Sequence, residues 1–156
     1  MVPLTDALAA PKTVQVGDKS VSLHPLTLND YAAWDQWARA AHLRAAEDSL
    51  ADKDPLSRAT FMRDAHAAAT RIYFGSTHAM GPMLSVPGRV KVAALSARMG
   101  DADVWGLVTA GGKPDMNVLN TLYVEALRLS GYVVEEKEGQ SANPQDAVAA
   151  ISDLLM

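Results

Sequence analysis

Two short runs near the start of the chain alternate apolar with polar positions. They are Thr13-Val14-Gln15-Val16 and Ser20-Val21-Ser22-Leu23. A period of two is that of a strand with one buried face. Gly17-Asp18-Lys19 between them supplies turn chemistry. The pattern predicts a β-hairpin with Val14, Val16, Val21 and Leu23 on its inward face. An isolated hairpin is marginal in water, so this one must pack on helices of the chain or on another strand.

The period then changes to that of a helix. His24-Pro25-Leu26 is extended because of the proline. Thr27, with Asp30 three residues on, reads as a capped helix start. A helix from about Leu28 to Leu50 places Tyr31, Trp34, Trp37 or Ala38, and Ala41 on one stripe. Asp54-Pro55 opens a second helix running to about Phe74, with Phe61, Met62, Ala65, Ala69, Ile72 and Tyr73 at helical spacing. Residues 75–88 are rich in glycine and proline and predict an irregular connection, with room for a short turn at Ala79 to Leu84. A third helix spans about Pro87 to Met99, with Val90, Ala93, Ala94 and Ala97 inward and Gly100 as its stop. A fourth covers about Asp101 to Thr109, using Val104, Trp105 and Val108. After the break at Ala110 to Pro114, a fifth runs from about Asp115 to Ser130. Its apolar face is Val118, Leu119, Leu122, Ala126 and Leu129, and Gly131 stops it. Beyond a polar stretch, Asn143-Pro144 begins a last candidate helix with Val148, Ile151, Leu154 and Leu155 on one face. The fold class is therefore mainly α, about five to six helices, with an N-terminal β-hairpin. The chain divides into a flexible arm (1–12), a helical domain carrying the hairpin (13–131) and an acidic linker with a short amphipathic helix (132–156).

Composition narrows the function classes. The 156 residues contain no cysteine, which excludes disulfide scaffolds, thiolate metal sites and a cysteine nucleophile. Residues 1–131 carry equal numbers of acids and bases. The whole net charge of −4 therefore lies in residues 132–156, with five acids against Lys137. Bases elsewhere are interleaved with acids, a solvated helix surface rather than a nucleic-acid face. No apolar run has the length of a membrane helix, and MVPLTDALAAPK lacks the basic start and apolar stretch of a secretory signal. The expected class is a soluble cytoplasmic protein without nucleic-acid or membrane partners.

Catalytic patterns are thin. Gly106-Leu-Val-Thr-Ala-Gly111-Gly112-Lys113-Pro114 departs from a phosphate loop, because an extra glycine displaces the lysine and Pro114 stands where a hydroxyl is needed. His24, His42, His66 and His78 include no pair at i, i+3 or i, i+4, so no single helix offers a paired metal grip. No spacing nominates a catalytic triad. No catalytic, cofactor-binding or metal residue is assigned, and the expectation is a protein that is not an enzyme. Contact surface is the remaining chemistry. Trp is enriched at interface anchors, and Trp37 lies at the edge of the first helix's stripe, between core and partner. Met80, Met83 and Met116 fall in or beside breaks and read as exposed, Met62 and Met99 as core. The contact candidates are Trp37, the hairpin residues Val14, Val16, Val21 and Leu23, and the C-terminal residues Ile151, Leu154 and Leu155.

The order of these features resembles the small tail assembly chaperones of long-tailed bacteriophages and prophages. Three passages carry the likeness. The first is the strand pair leading into a Pro-Leu-Thr-Leu step, Val14 to Lys19 followed by Leu23-His24-Pro25-Leu26-Thr27-Leu28-Asn29-Asp30. The second is the Trp-, Ala- and Arg-rich helix from Tyr31 to Leu50. The third is Val90 to Met99, the acidic-capped helix after it and the helix ending Leu129-Ser130-Gly131, followed by an acidic tail. The resemblance implies a non-enzymatic protein of the bacterial host cytoplasm, absent from the mature virion. It implies the tape measure protein and the tail tube protein as partners. A virion structural protein (connector, terminator or minor component) and a helical protein-binding adaptor are the alternative readings. An exposed hairpin edge also leaves homo-oligomerisation open.

Overall fold

In the computed structural model, residues 10–132 are described. The candidate C-terminal helix, with Ile151, Leu154 and Leu155, and most of the N-terminal arm lie outside them. Two strands, β1 (Lys12–Val16) and β2 (Lys19–Leu23), pair antiparallel with Val14 opposite Val21. Gly17 takes φ +62 in the turn, a conformation a side chain would resist. Six α-helices follow among the described residues: α1 (Leu28–Ser49), α2 (Pro55–Ala69), α3 (Met80–Leu84), α4 (Val86–Ala97), α5 (Asp101–Val108) and α6 (Met116–Leu129). The fold is thus mainly α with an N-terminal hairpin, the class read from the sequence.

The hairpin solves its marginal stability by packing inward. Val14, Val21 and Leu23 join Val90, Ala93 and Ala94 of α4, Val104 and Val108 of α5, and Leu119 and Leu122 of α6 in one apolar cluster. Val16 is only half-buried at its margin. A second cluster lies towards α1, where Trp34 and Ala38 meet Ile72, Phe74, Met83, Val92, Tyr123, Ala126 and Leu127. Helices α4 and α6 supply both clusters, so they form the spine. The short side chains of α4 (Ala93, Ala94, Ser96) let neighbouring backbones come close. Ser96 uses this directly: its hydroxyl donates to the His24 carbonyl at 2.7 Å, and the His24 N–H donates to the Ser96 carbonyl at 2.8 Å. The exit of β2 is thereby tied to α4.

Several boundaries differ from the sequence reading, each for a tertiary reason. Helix α2 ends at Ala69, not Phe74. The segment after it turns back so that Ile72 and Phe74 enter the core. Side chains of α1 hold the freed backbone: Arg39 Nε donates to the Ile72 carbonyl (2.9 Å) and the Phe74 N–H donates to Asp35 Oδ1 (2.6 Å). Tyr73, placed on the helical stripe from the sequence, is exposed, and so is Phe61. The connection 75–88 is more ordered than its glycines and prolines suggest. It contains a 3-10 turn (Thr77–Ala79), α3 and the start of α4. Met83, read as exposed, is buried in the α1-side cluster. On α6, Tyr123 and Leu127 join the core beside the expected residues.

Helix α4 stops at Ala97 because Arg98 adopts the left-handed conformation (φ 57, ψ 38) and closes the helix two residues before Gly100. That conformation costs a non-glycine residue roughly 1 kcal/mol. It also swings the guanidinium onto Asp30, where Arg98 Nη1 lies 2.7 Å from Oδ1 and 2.9 Å from Oδ2. Asp30 is itself the third residue of α1 and closes a capping box with Thr27. Burial alone would raise its carboxyl. The Thr27 N–H and hydroxyl and the Arg98 guanidinium outweigh burial and hold it below its ordinary value of 3.8. A lowered folded value contributes stability that is present above the ordinary carboxylate range and is lost as pH falls through the folded value. We expect the melting temperature to decline below about pH 4. Asp30→Asn should flatten that decline while lowering the neutral-pH melting temperature. An Asn variant with the wild-type pH profile would remove Asp30 from the account.

Candidate protein-binding groove

Helix α1 presents two tryptophans three residues apart. Trp34, at 0% exposure, points into the core. Trp37 sits on the flank of the same stripe, packed on Trp34 with ring centroids 5.9 Å apart and planes at 52°. Its other side opens into a groove of about 350 Å³ lined by Val86, Pro87 and Val90 of α4 and by Asp101, Ala102 and Trp105 of α5. Val86 and Trp105 are each 38% exposed. Each wall has a local cause. Ser85 caps α4 and Pro87 sits in its first turn, which sets Val86 and Pro87 at the surface end of a helix that buries Val90, Val92, Ala93, Ala94 and Ser96 further on. On α5, Val104 and Val108 take the inward face, and Trp105, one position on, is turned outward by about 100°. The Lys91 ammonium lies 3.4 Å from the Asp101 carboxylate at the groove's side, and both groups keep partial contact with solvent.

Behind Trp37 lies a cluster of packed rings. Trp34 meets Phe74 edge-on (5.2 Å), and Phe74 packs on Tyr31 (4.8 Å) and Tyr132 (5.3 Å). Burial, with the Tyr132 hydroxyl next in effect, pushes the Tyr31 hydroxyl well above its usual range. Burial likewise raises Tyr123 to about 12, against a smaller opposing pull from Arg89. The Arg89 guanidinium lies over that ring at 5.9 Å from its centroid and donates to Asn120 Oδ1 at 2.6 Å. Burial is the largest cause of both shifts. Among the described residues, no group of three His, Asp or Glu side chains could hold a metal ion. No described helix is long and apolar enough to cross a membrane.

Of the contact candidates, Trp37 opens into the groove. Val14, Val21 and Leu23 are occupied by the hairpin's own packing on α4, α5 and α6. Val16 borders a wider depression of about 670 Å³ between the hairpin turn and the 110–116 segment. That depression contains the phosphate-loop-like stretch. Its charges offset one another (Asp18, Lys19, Lys113, Asp115), and Gly106 lies inside α5 rather than after a strand. Ile151, Leu154 and Leu155 lie outside the described residues. The sequence reading missed Val86, which fell in the expected connection, took Pro87 only as the start of the third helix, and assigned Trp105 to the inward face of α5. The signal for Trp105 was present: next to Val104, it cannot share that residue's face of a helix. Comparison with protein-family models, with curated proteins and with solved structures returns no match in any of the three.

Proposed function

We propose that this protein is a non-enzymatic tail assembly chaperone of a long-tailed bacteriophage or prophage. It acts in the host cytoplasm, holds the tape measure protein before the tube forms, helps recruit tail tube subunits and is absent from the mature virion. The observation that carries the reading is the Trp37–Trp105 groove. It is lined mainly by apolar side chains and backed by packed aromatic rings, which suits capture of an amphipathic helix by apolar anchors.

The test is co-expression with the tape measure protein of the same genome, followed by size-exclusion chromatography. The expected result is a soluble, co-eluting complex. Trp105→Ala and Val86→Lys change exposed groove walls and should leave the fold intact. Each should weaken the complex on the order of thirtyfold, the loss of an anchor contributing about 2 kcal/mol. A complex indifferent to both substitutions would remove the groove from the reading. No complex, with the protein present in purified virions, would make it a structural component instead.

A further inference from the structure

Helix α2 is under-supported. It is 15 residues long, its chief neighbour is α1, and its one buried residue is Ala69 at the very end. Helices of this length are marginal in water without an apolar surface to lie on. Yet α2 leaves Phe61 57% exposed at its centre. Positions three and four apart share a helix face, so the exposed residues Arg58, Phe61, Asp64 and Ala68 form one strip, with half-buried Ala65 at its inner edge. Arg58 and Asp64 stand at equal distances either side of Phe61 and carry opposite charges. The Asp64 side chain is 68% exposed, and among the described residues its one ion pair is a long 3.4 Å contact with the neighbouring Arg63, itself 77% exposed. Leu56, 79% exposed, lies about 140° away around the helix and is not part of the strip.

We propose that this strip of α2 is a self-association surface, pairing with the same strip of a second copy about a two-fold axis at Phe61. An isologous contact requires a self-complementary patch. Antiparallel pairing about Phe61 supplies one: the two phenyl rings meet on the axis, each Arg58 faces the other copy's Asp64, and the small Ala68 allows close approach of the helices. Parallel pairing would set Arg58 on Arg58 and Asp64 on Asp64. A single helix pair is a small interface, so the dimer is weak and concentration-dependent. The surface is separate from the Trp37–Trp105 groove and stands whether or not a client occupies that groove.

Sedimentation velocity on the full chain over a wide concentration range tests this. The wild type should move from monomer towards dimer as concentration rises, and Phe61→Asp should stay monomeric. Arg58→Asp and Asp64→Arg should each weaken the dimer at least about tenfold, because each sets like charges opposite one another twice. An equimolar mixture of those two variants should recover a dimer, since each copy then faces its opposite charge. Circular dichroism checks that every variant keeps its helical content. A wild type that stays monomeric throughout overturns the proposal. So does a dimer unaffected by the single charge reversals, or a mixture that stays monomeric; either would leave the face to some other occupant.

Discussion

Gly88→Ala should destabilise the protein by about 3 kcal/mol, lowering the melting temperature by roughly 10 °C. The position looks harmless in sequence, because alanine is the better helix former and Gly88 lies in the first turn of α4. The structure reverses that expectation. Only Ser85 separates α3 from α4, and its hydroxyl donates to the Pro82 carbonyl (2.7 Å) while accepting from the Gly88 N–H (3.1 Å). This corner brings the Pro82 carbonyl oxygen against the Gly88 α-carbon, so an added Cβ would collide with backbone. Backbone cannot rotate away as a side-chain tip can, and α4 supplies both apolar clusters, so its start cannot shift freely. Gly106→Ala is the matched control. It sits within α5 with open space where an added Cβ would lie, and should be neutral or stabilising by up to about 1 kcal/mol. Chemical denaturation of the two variants side by side checks the pair. Equal effects at 88 and 106 would mean the corner is not closed.

The same contrast runs through what the sequence made legible. Signals written in adjacent residues were readable: the hairpin alternation around Gly17, the Thr27–Asp30 cap, the break at Asp54-Pro55 and the stop after Ser130. Features set by distant partners were not. Helix α2 ends early because Asp35 and Arg39, more than thirty residues away, hold the backbone of Ile72 and Phe74. Arg98 accepts a left-handed backbone where its charge reaches Asp30, and no local rule nominates arginine for that conformation. The groove divides in the same way. Trp37 was legible as the flank of a stripe. That it faces Trp105 across Val86 and Pro87 depends on how α1, α4 and α5 pack, which one-dimensional spacing does not encode.

Trp34 is where that packing concentrates, and Trp34→Ala should cost roughly 3–5 kcal/mol. Its ring joins Trp37 to Phe74 and, through Phe74, to Tyr31 and Tyr132. Ile72, Met83, Tyr123 and Leu127 belong to the same cluster, and rigid helices on several sides leave little scope for collapse into the space vacated. Trp34→Phe should cost much less, on the order of 1 kcal/mol. It keeps most of the apolar volume and removes a liability: the indole Nε1 is buried with no hydrogen-bond partner among the described residues, a state that costs about 1–3 kcal/mol. The order of the variants therefore separates two accounts of the residue. If Trp34 acts by filling space, alanine is severe and phenylalanine mild. If it acted through a polar contact of its N–H, both would be severe. Urea unfolding of the two variants decides between them. Under the proposed function there is a second readout, since Trp37 rests on Trp34: the alanine variant should lose affinity for the proposed client through a loosened Trp37 while Trp105 stays in place.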